Sequence, residues 1–105
     1  MSILLALLLL IFGFDDQYKT TYYADSFVNQ PMYCNEELYN PNDITIIAAA
    51  SIPCGTTIIL CSQICITATI KDRCGGCNQN QLDLSLAGYK LLGNPDVVSV
   101  IFPTR

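Results

Sequence analysis

The chain contains no histidine, and only five lysines and arginines stand against nine aspartates and glutamates in 105 residues, a net charge of −4. So few cations form no basic stripe able to neutralise phosphates, which is what nucleic acid or anionic lipid mainly requires of a partner. Nucleic acid is therefore not an expected partner, whereas neutral glycans, peptides and basic surfaces stay open. The missing histidine also removes the nitrogen ligand that often completes a zinc site. Neither an internal repeat nor a low-complexity block follows the opening residues.

A comfortable membrane span is missing too. The longest apolar run, Ile3 to Phe12 in MSILLALLLLIFGF, would reach about 15 Å as a helix, roughly half of a bilayer's hydrocarbon core. Its length and terminal position suit the apolar core of a secretory signal, although it lacks the usual basic start and an A-x-A cleavage site. Residues 1–14 are read as a signal peptide or short hydrophobic leader. Residues 15–105 are read as one domain, secreted or held in the cell envelope, monomeric, with no stable membrane span after leader removal. A chain this short supports a single core.

What the chain does have is six cysteines, Cys34, Cys54, Cys61, Cys65, Cys74 and Cys77. Behind an export signal an even number of cysteines reads as a disulfide framework, with the pairing undetermined. Zinc competes, because Cys61, Cys65, Cys74 and Cys77 form C-x3-C followed by C-x2-C. The eight residues between Cys65 and Cys74 are short for a zinc ribbon, and Cys34 and Cys54 would be left over. Disulfides are the better account, and neither a metal nor a cofactor is implied.

The pattern is mainly β. The run TTYY (20–23) is rich in β-forming types, and the segment from there to Asp43 reads as a long surface loop punctuated by Asn29, Pro31, Asn35, Asn40, Pro41 and Asn42. ITIIAAA (44–50) and TTIIL (56–60) read as strands around the Pro53–Gly55 turn. Cys65 to Lys71 alternates, with Ile66, Ala68 and Ile70 on one face and Thr67, Thr69 and Lys71 on the other. Ser85 caps a short helix through Leu92, which Gly93 stops, and VVSVIF (97–102) closes the chain as a strand. About six short strands and one helix predict a small closed barrel, which leaves no sheet edge exposed.

Chemistry concentrates in ATIKDRCGGCNQNQLDLSLAGY (68–89), which places Asp72 at the end of the best strand and Asp83 after a compact loop. The two carboxylates are expected at one rim. Paired carboxylates in a groove are common equipment for glycosidic cleavage, one protonated and one ionised. A turn-forming aspartate beside Arg73, and an aspartate favoured near a helix start, are the plainer readings of the same residues.

This stretch, with what surrounds it, resembles the double-psi β-barrel family that includes the RlpA-like proteins, the first domain of expansins, and the barwin-like and plant natriuretic-peptide-like proteins. TTYYAD is similar to the family's opening strand, IIAAAS and PCGT to its Ala-rich strand and following turn, KDRCGGC and LDLS to its paired aspartate elements, and GYKLLGNPDVVSVIF to its closing helix and strand. The resemblance implies a six-stranded double-psi β-barrel with one short helix, stapled by disulfides. It implies that Asp72 and Asp83 are polar groove residues, with Asp72 at the acid/base position of glycan-cleaving members, and that Thr21 and Tyr23 lie on the groove's opening strand. Aromatic and hydroxyl side chains suit a sugar's C–H face and its hydroxyls.

One departure bears on activity. RlpA-like lytic transglycosylases carry a histidine in a Thr-Ala-Ala-His segment, and this chain has Ala49 or its neighbour there. The expected function is binding or remodelling of a cell-wall polysaccharide, peptidoglycan among the candidates, with lytic transglycosylase-like cleavage through Asp72 as its catalytic form. An expansin-like wall-loosening module without catalysis, and a secreted protein-interaction module such as an effector or protease inhibitor, are the alternatives.

Overall fold

In the computed structural model, which describes residues 16–103, six strands close into a barrel. The elements are β1 (Asp16–Tyr22), β2 (Ile46–Ala49), β3 (Thr57–Cys61), β4 (Cys65–Arg73), β5 (Gln81–Leu84), the helix α1 (Leu86–Leu91) and β6 (Val97–Ile101). Around the barrel the order is β1-β5-β2-β4-β3-β6. Two neighbouring pairs, β1/β5 and β2/β4, are parallel, and the other four are antiparallel. The leader reading, and the boundary drawn after residue 14, lie outside the described residues. Among those described, no helix is long and apolar enough to cross a membrane.

Alternation builds the interior. Ile58 and Leu60, Ala68 and Ile70, Leu82 and Leu84, and Val98 and Val100 all point inward from successive strands and are buried with Ile47, Ala49 and Leu92. β5 is the strand that periodicity alone does not reveal. Its four residues are too few to establish a pattern, and only the LDLS resemblance marked the place.

β2 is buried along its whole length, which is why it reads as a continuous apolar run rather than an alternating one. Ile47 and Ala49 face the interior, while Ile46 and Ala48 join a second cluster with Tyr23, Met32 and Tyr39. That cluster exists because the segment from Ala24 to Thr45 is not the plain surface loop expected. It turns through a short 3-10 helix at Asp25–Phe27, forms a bridge between Pro31 and Leu38, and seats Met32 and Tyr39 at 2% exposure each. The segment is a cover over the outer face of β2.

The cysteines pair as Cys34–Cys54, Cys61–Cys65 and Cys74–Cys77. The first ties the cover to the turn before β3, the second closes the β3–β4 hairpin, and the third closes the loop after β4. The four cysteines of the zinc alternative are thus used within two local pairs. α1 begins as expected: the Ser85 hydroxyl accepts a hydrogen bond from the Gly88 amide at 3.1 Å, and Gly93, at φ +89°, takes the left-handed conformation that ends the helix.

Candidate functional site

Strand register brings the two aspartates together. Thr21 of β1 pairs with Asp83 of β5, Asp83 pairs with Ala48 of β2, and Ala48 pairs with Asp72 of β4. Adjacent strands lie about 4.8 Å apart, so the two aspartate backbones are separated by roughly 10 Å. Ala48, between them in the row, is buried in the second cluster.

A bulge aims Asp72 outward. Ile47 pairs with Ile70, yet the next residue, Ala48, pairs with Asp72, so β4 carries one extra residue at Lys71. Strict alternation after the inward Ile70 would send Asp72 into the barrel. The extra residue lets both Lys71 and Asp72 reach the cover, and re-aiming a side chain is what a bulge does. Lys71 pairs there with Glu37 at 3.5 Å and Asp43 at 3.9 Å.

Asp72 accepts three hydrogen bonds. The Tyr23 hydroxyl donates to Oδ2 at 2.8 Å, while the backbone amides of Tyr33 and Arg73 donate to Oδ1 at 2.8 and 2.9 Å. Both oxygens are engaged, as suits an acceptor-only carboxylate. Tyr23 is itself buried, its ring stacked on Tyr39 with centroids 4.1 Å apart. Burial first, then the hydrogen bond to Asp72 and its charge, push the Tyr23 phenol far above its ordinary range, which keeps it a donor.

Asp83 is held more loosely. The Thr21 hydroxyl donates to its Oδ1 at 2.9 Å, and the Gln81 amide donates in turn to Thr21 at 3.3 Å. Burial raises the Asp83 carboxyl above its ordinary value; the Thr21 bond offsets part of the rise and the negative charge of Asp72 adds to it.

Of the four residues singled out for this groove, Thr21, Asp72 and Asp83 lie along one row. Tyr23 stands behind Asp72 rather than at the surface. Tyr22 points the other way and packs on Tyr89 of α1, centroids 4.8 Å apart. Where RlpA-like proteins have a histidine, the Ala49 side chain belongs to the barrel interior and Ala48 occupies the row, so neither position supplies a titratable group. Tyr33 escaped the sequence reading because it acts on Asp72 through its backbone amide, which leaves no trace in residue type. A separate cavity of about 460 Å³, lined by residues including Tyr18, Ile52 and Phe102, lies where these side chains pack against the barrel interior, not at the aspartates.

No protein-family model matches the chain, and no curated protein matches it by sequence. Solved structures do match. A Streptomyces papain inhibitor superposes with a TM-score of 0.66 at 18% identity, over 89% of this chain and 97% of that one. An expansin of Clavibacter michiganensis superposes with a TM-score of 0.61 at 23% identity, over 83% of this chain and 48% of that one, so this chain spans about half of the expansin. A mutant of that expansin in complex with cellohexaose superposes equally well, at 22% identity. The computationally designed msDPBB_sym2 protein matches with a TM-score of 0.59 at 10% identity, over 85% of this chain and 99% of that one. With the closed six-strand topology, these likenesses establish the double-psi β-barrel fold for this chain.

Proposed function

We propose that this chain is an exported module that binds a cell-wall polysaccharide through the polar side chains of Thr21, Asp83 and Asp72 and loosens the wall by binding rather than by cleavage. The observation that carries this reading is the row itself. The Thr21 hydroxyl and the Asp83 and Asp72 carboxylates lie along one row of strand register, and the Gln81 amide, two residues before Asp83 on β5, donates to that hydroxyl; this is the mixture of donors and acceptors that sugar hydroxyls need. The expansin, about half of which superposes on this chain, is found in mutant form in complex with cellohexaose. The three disulfides suit an extracellular location.

Two features favour binding over chemistry. No histidine is available, and Asp72, the expected acid/base, already accepts hydrogen bonds at both oxygens. A lytic route requires one group to give a proton to the leaving oxygen and later remove one from the sugar's own hydroxyl. Asp83, with burial pushing its carboxyl up and one oxygen without a hydrogen bond among the described residues, is the better-equipped proton donor. A protein-interaction role has its own support in the likeness to the papain inhibitor, which extends over 97% of that chain.

Pull-down of the oxidised protein on cellulose and on purified peptidoglycan, with mass spectrometry of the supernatant, tests the proposal. Retention without soluble products, weakened about tenfold by Asp83→Ala, is the expected result; about 1.4 kcal/mol corresponds to that factor. Sugar products that vanish in Asp83→Asn or Asp72→Asn would replace loosening with cleavage. Neither retention nor products would end the polysaccharide reading.

A further inference from the structure

The cover is acidic. Between Ala24 and Asp43 lie four acidic residues, Asp25, Glu36, Glu37 and Asp43, and no lysine or arginine. Lys71 answers Glu37 and Asp43 from β4. Asp25 and Glu36 are exposed.

The same segment exposes large apolar side chains. Tyr33 is 70% exposed, Leu38 58% and Phe27 50%. Single exposed apolar residues need no explanation. Three within twelve positions of one folded segment, which also carries the exposed acids Asp25 and Glu36, give that segment the mixed apolar and charged character that recognition sites use.

That surface is also rigidly held. Met32 and Tyr39 anchor it in the second cluster, and the Cys34–Cys54 disulfide and the Tyr33 amide bond to Asp72 pin its tip. Across the hairpin, the Met32 amide donates to the Glu37 carbonyl and the Tyr39 amide to the Gln30 carbonyl, both at 2.8 Å. The Arg73 guanidinium lies 5.8 Å from the centre of the Tyr33 ring. A segment already ordered loses little entropy on binding, so its contacts count nearly in full towards affinity.

We propose that the hairpin around the Pro31–Leu38 bridge is a protein-docking surface for a basic partner, one that presents an apolar recess flanked by lysine or arginine. Tyr33, Leu38 and Phe27 fill the recess, and Asp25 and Glu36 meet the cations. The surface lies beside the row, and the observations behind it are separate from those that carry sugar binding. Asp72 links the two, since it holds the tip of the hairpin with one oxygen and faces the row with the same carboxylate.

The test uses the oxidised, isotope-labelled protein and three soluble probes: a short peptide of lysine and leucine, its glutamate/leucine counterpart, and polylysine. The lysine/leucine peptide is expected to shift the amide signals of residues 25–38, with the others binding at least about tenfold more weakly. Leu38→Ser and Glu36→Lys, both at exposed positions, should each weaken it by about tenfold, and raising salt should weaken the wild type. Gln63→Lys, away from the cover, should leave binding unchanged. Equal binding of polylysine, unaltered affinity in both hairpin variants, or shifts centred on Thr21 and Asp83 instead of the hairpin would each overturn the proposal. Retention on polysaccharide by Leu38→Ser separates a failure here from a failure of the sugar-binding reading.

Discussion

Asp72 and Asp83 occupy the same row and differ in how they are held. Asp72 lies under the cover, engaged by a buried phenol and two backbone amides. Asp83 receives one hydroxyl, from an exposed threonine, in a half-buried position that disfavours its charge. One carboxylate therefore organises the fold around it, while the other keeps one oxygen without a hydrogen bond among the described residues. The difference arises from what covers each strand: β4 meets the folded segment 24–45, whereas β5 meets β1 and the open side of the row. Sequence position in a motif does not distinguish these two roles, and hydrogen-bond partners do.

The largest effect should come from removing the cover's anchor. Tyr39→Ala deletes a fully buried ring stacked on Tyr23, together with the hydroxyl that accepts from the Leu86 amide. A loss of about 3–5 kcal/mol in chemical denaturation is expected. A change below about 1 kcal/mol would mean that the cover is not part of the cooperative fold.

Next in size is the contrast between the aspartates themselves. Asp72→Ala leaves the Tyr23 hydroxyl and the Tyr33 amide without their acceptor and should cost about 2–3 kcal/mol. Asp83→Asn keeps a hydrogen-bond acceptor for Thr21 and removes a carboxylate whose charge burial disfavours, so stability should change by less than about 0.5 kcal/mol. Urea midpoints of the two variants check this directly, and equal losses would erase the distinction drawn above.

The smallest expected effect is in pH dependence. The folded Asp83 carboxyl lies above its ordinary value of 3.8, so between about pH 4 and its folded value the native protein holds a proton that the unfolded chain has released. Stability contributed by this group falls as pH rises through that window and is level above it. The difference between wild type and Asp83→Asn should therefore narrow as pH falls towards 4. Asp72→Asn, by removing a neighbouring negative charge, should shift the Asp83 titration downward in a carbon-detected NMR experiment.

Much of this architecture was legible beforehand, for identifiable reasons. β4 announced itself by alternation, β2 by a continuous apolar run, and α1 by Ser85 at its start and Gly93 at its end. The closed barrel with three disulfides agrees with the reading of composition and cysteine number. Cysteine pairing was not legible, because spacing leaves several connectivities open. The packing of the cover was hidden for a different reason: Met32 and Tyr39 are isolated apolar residues among turn formers, and their burial depends on a face of β2 that only the closed barrel creates. The bulge at Lys71 was equally silent, since alternation through Ile70 gives no sign that it stops there. Asp72, Asp83 and Thr21 could be named by resemblance, but their contrasting environments come from backbone amides and strand register.

The most direct test of the account is an NMR titration of the oxidised protein with soluble cello-oligosaccharides and peptidoglycan fragments. One of these glycans should move the amide signals of Thr21, Gln81, Asp83 and Asp72 together, with Asp83→Ala weakening the effect about tenfold. Saturating glycan that leaves those signals in place would contradict the proposal that this row is where a polysaccharide binds.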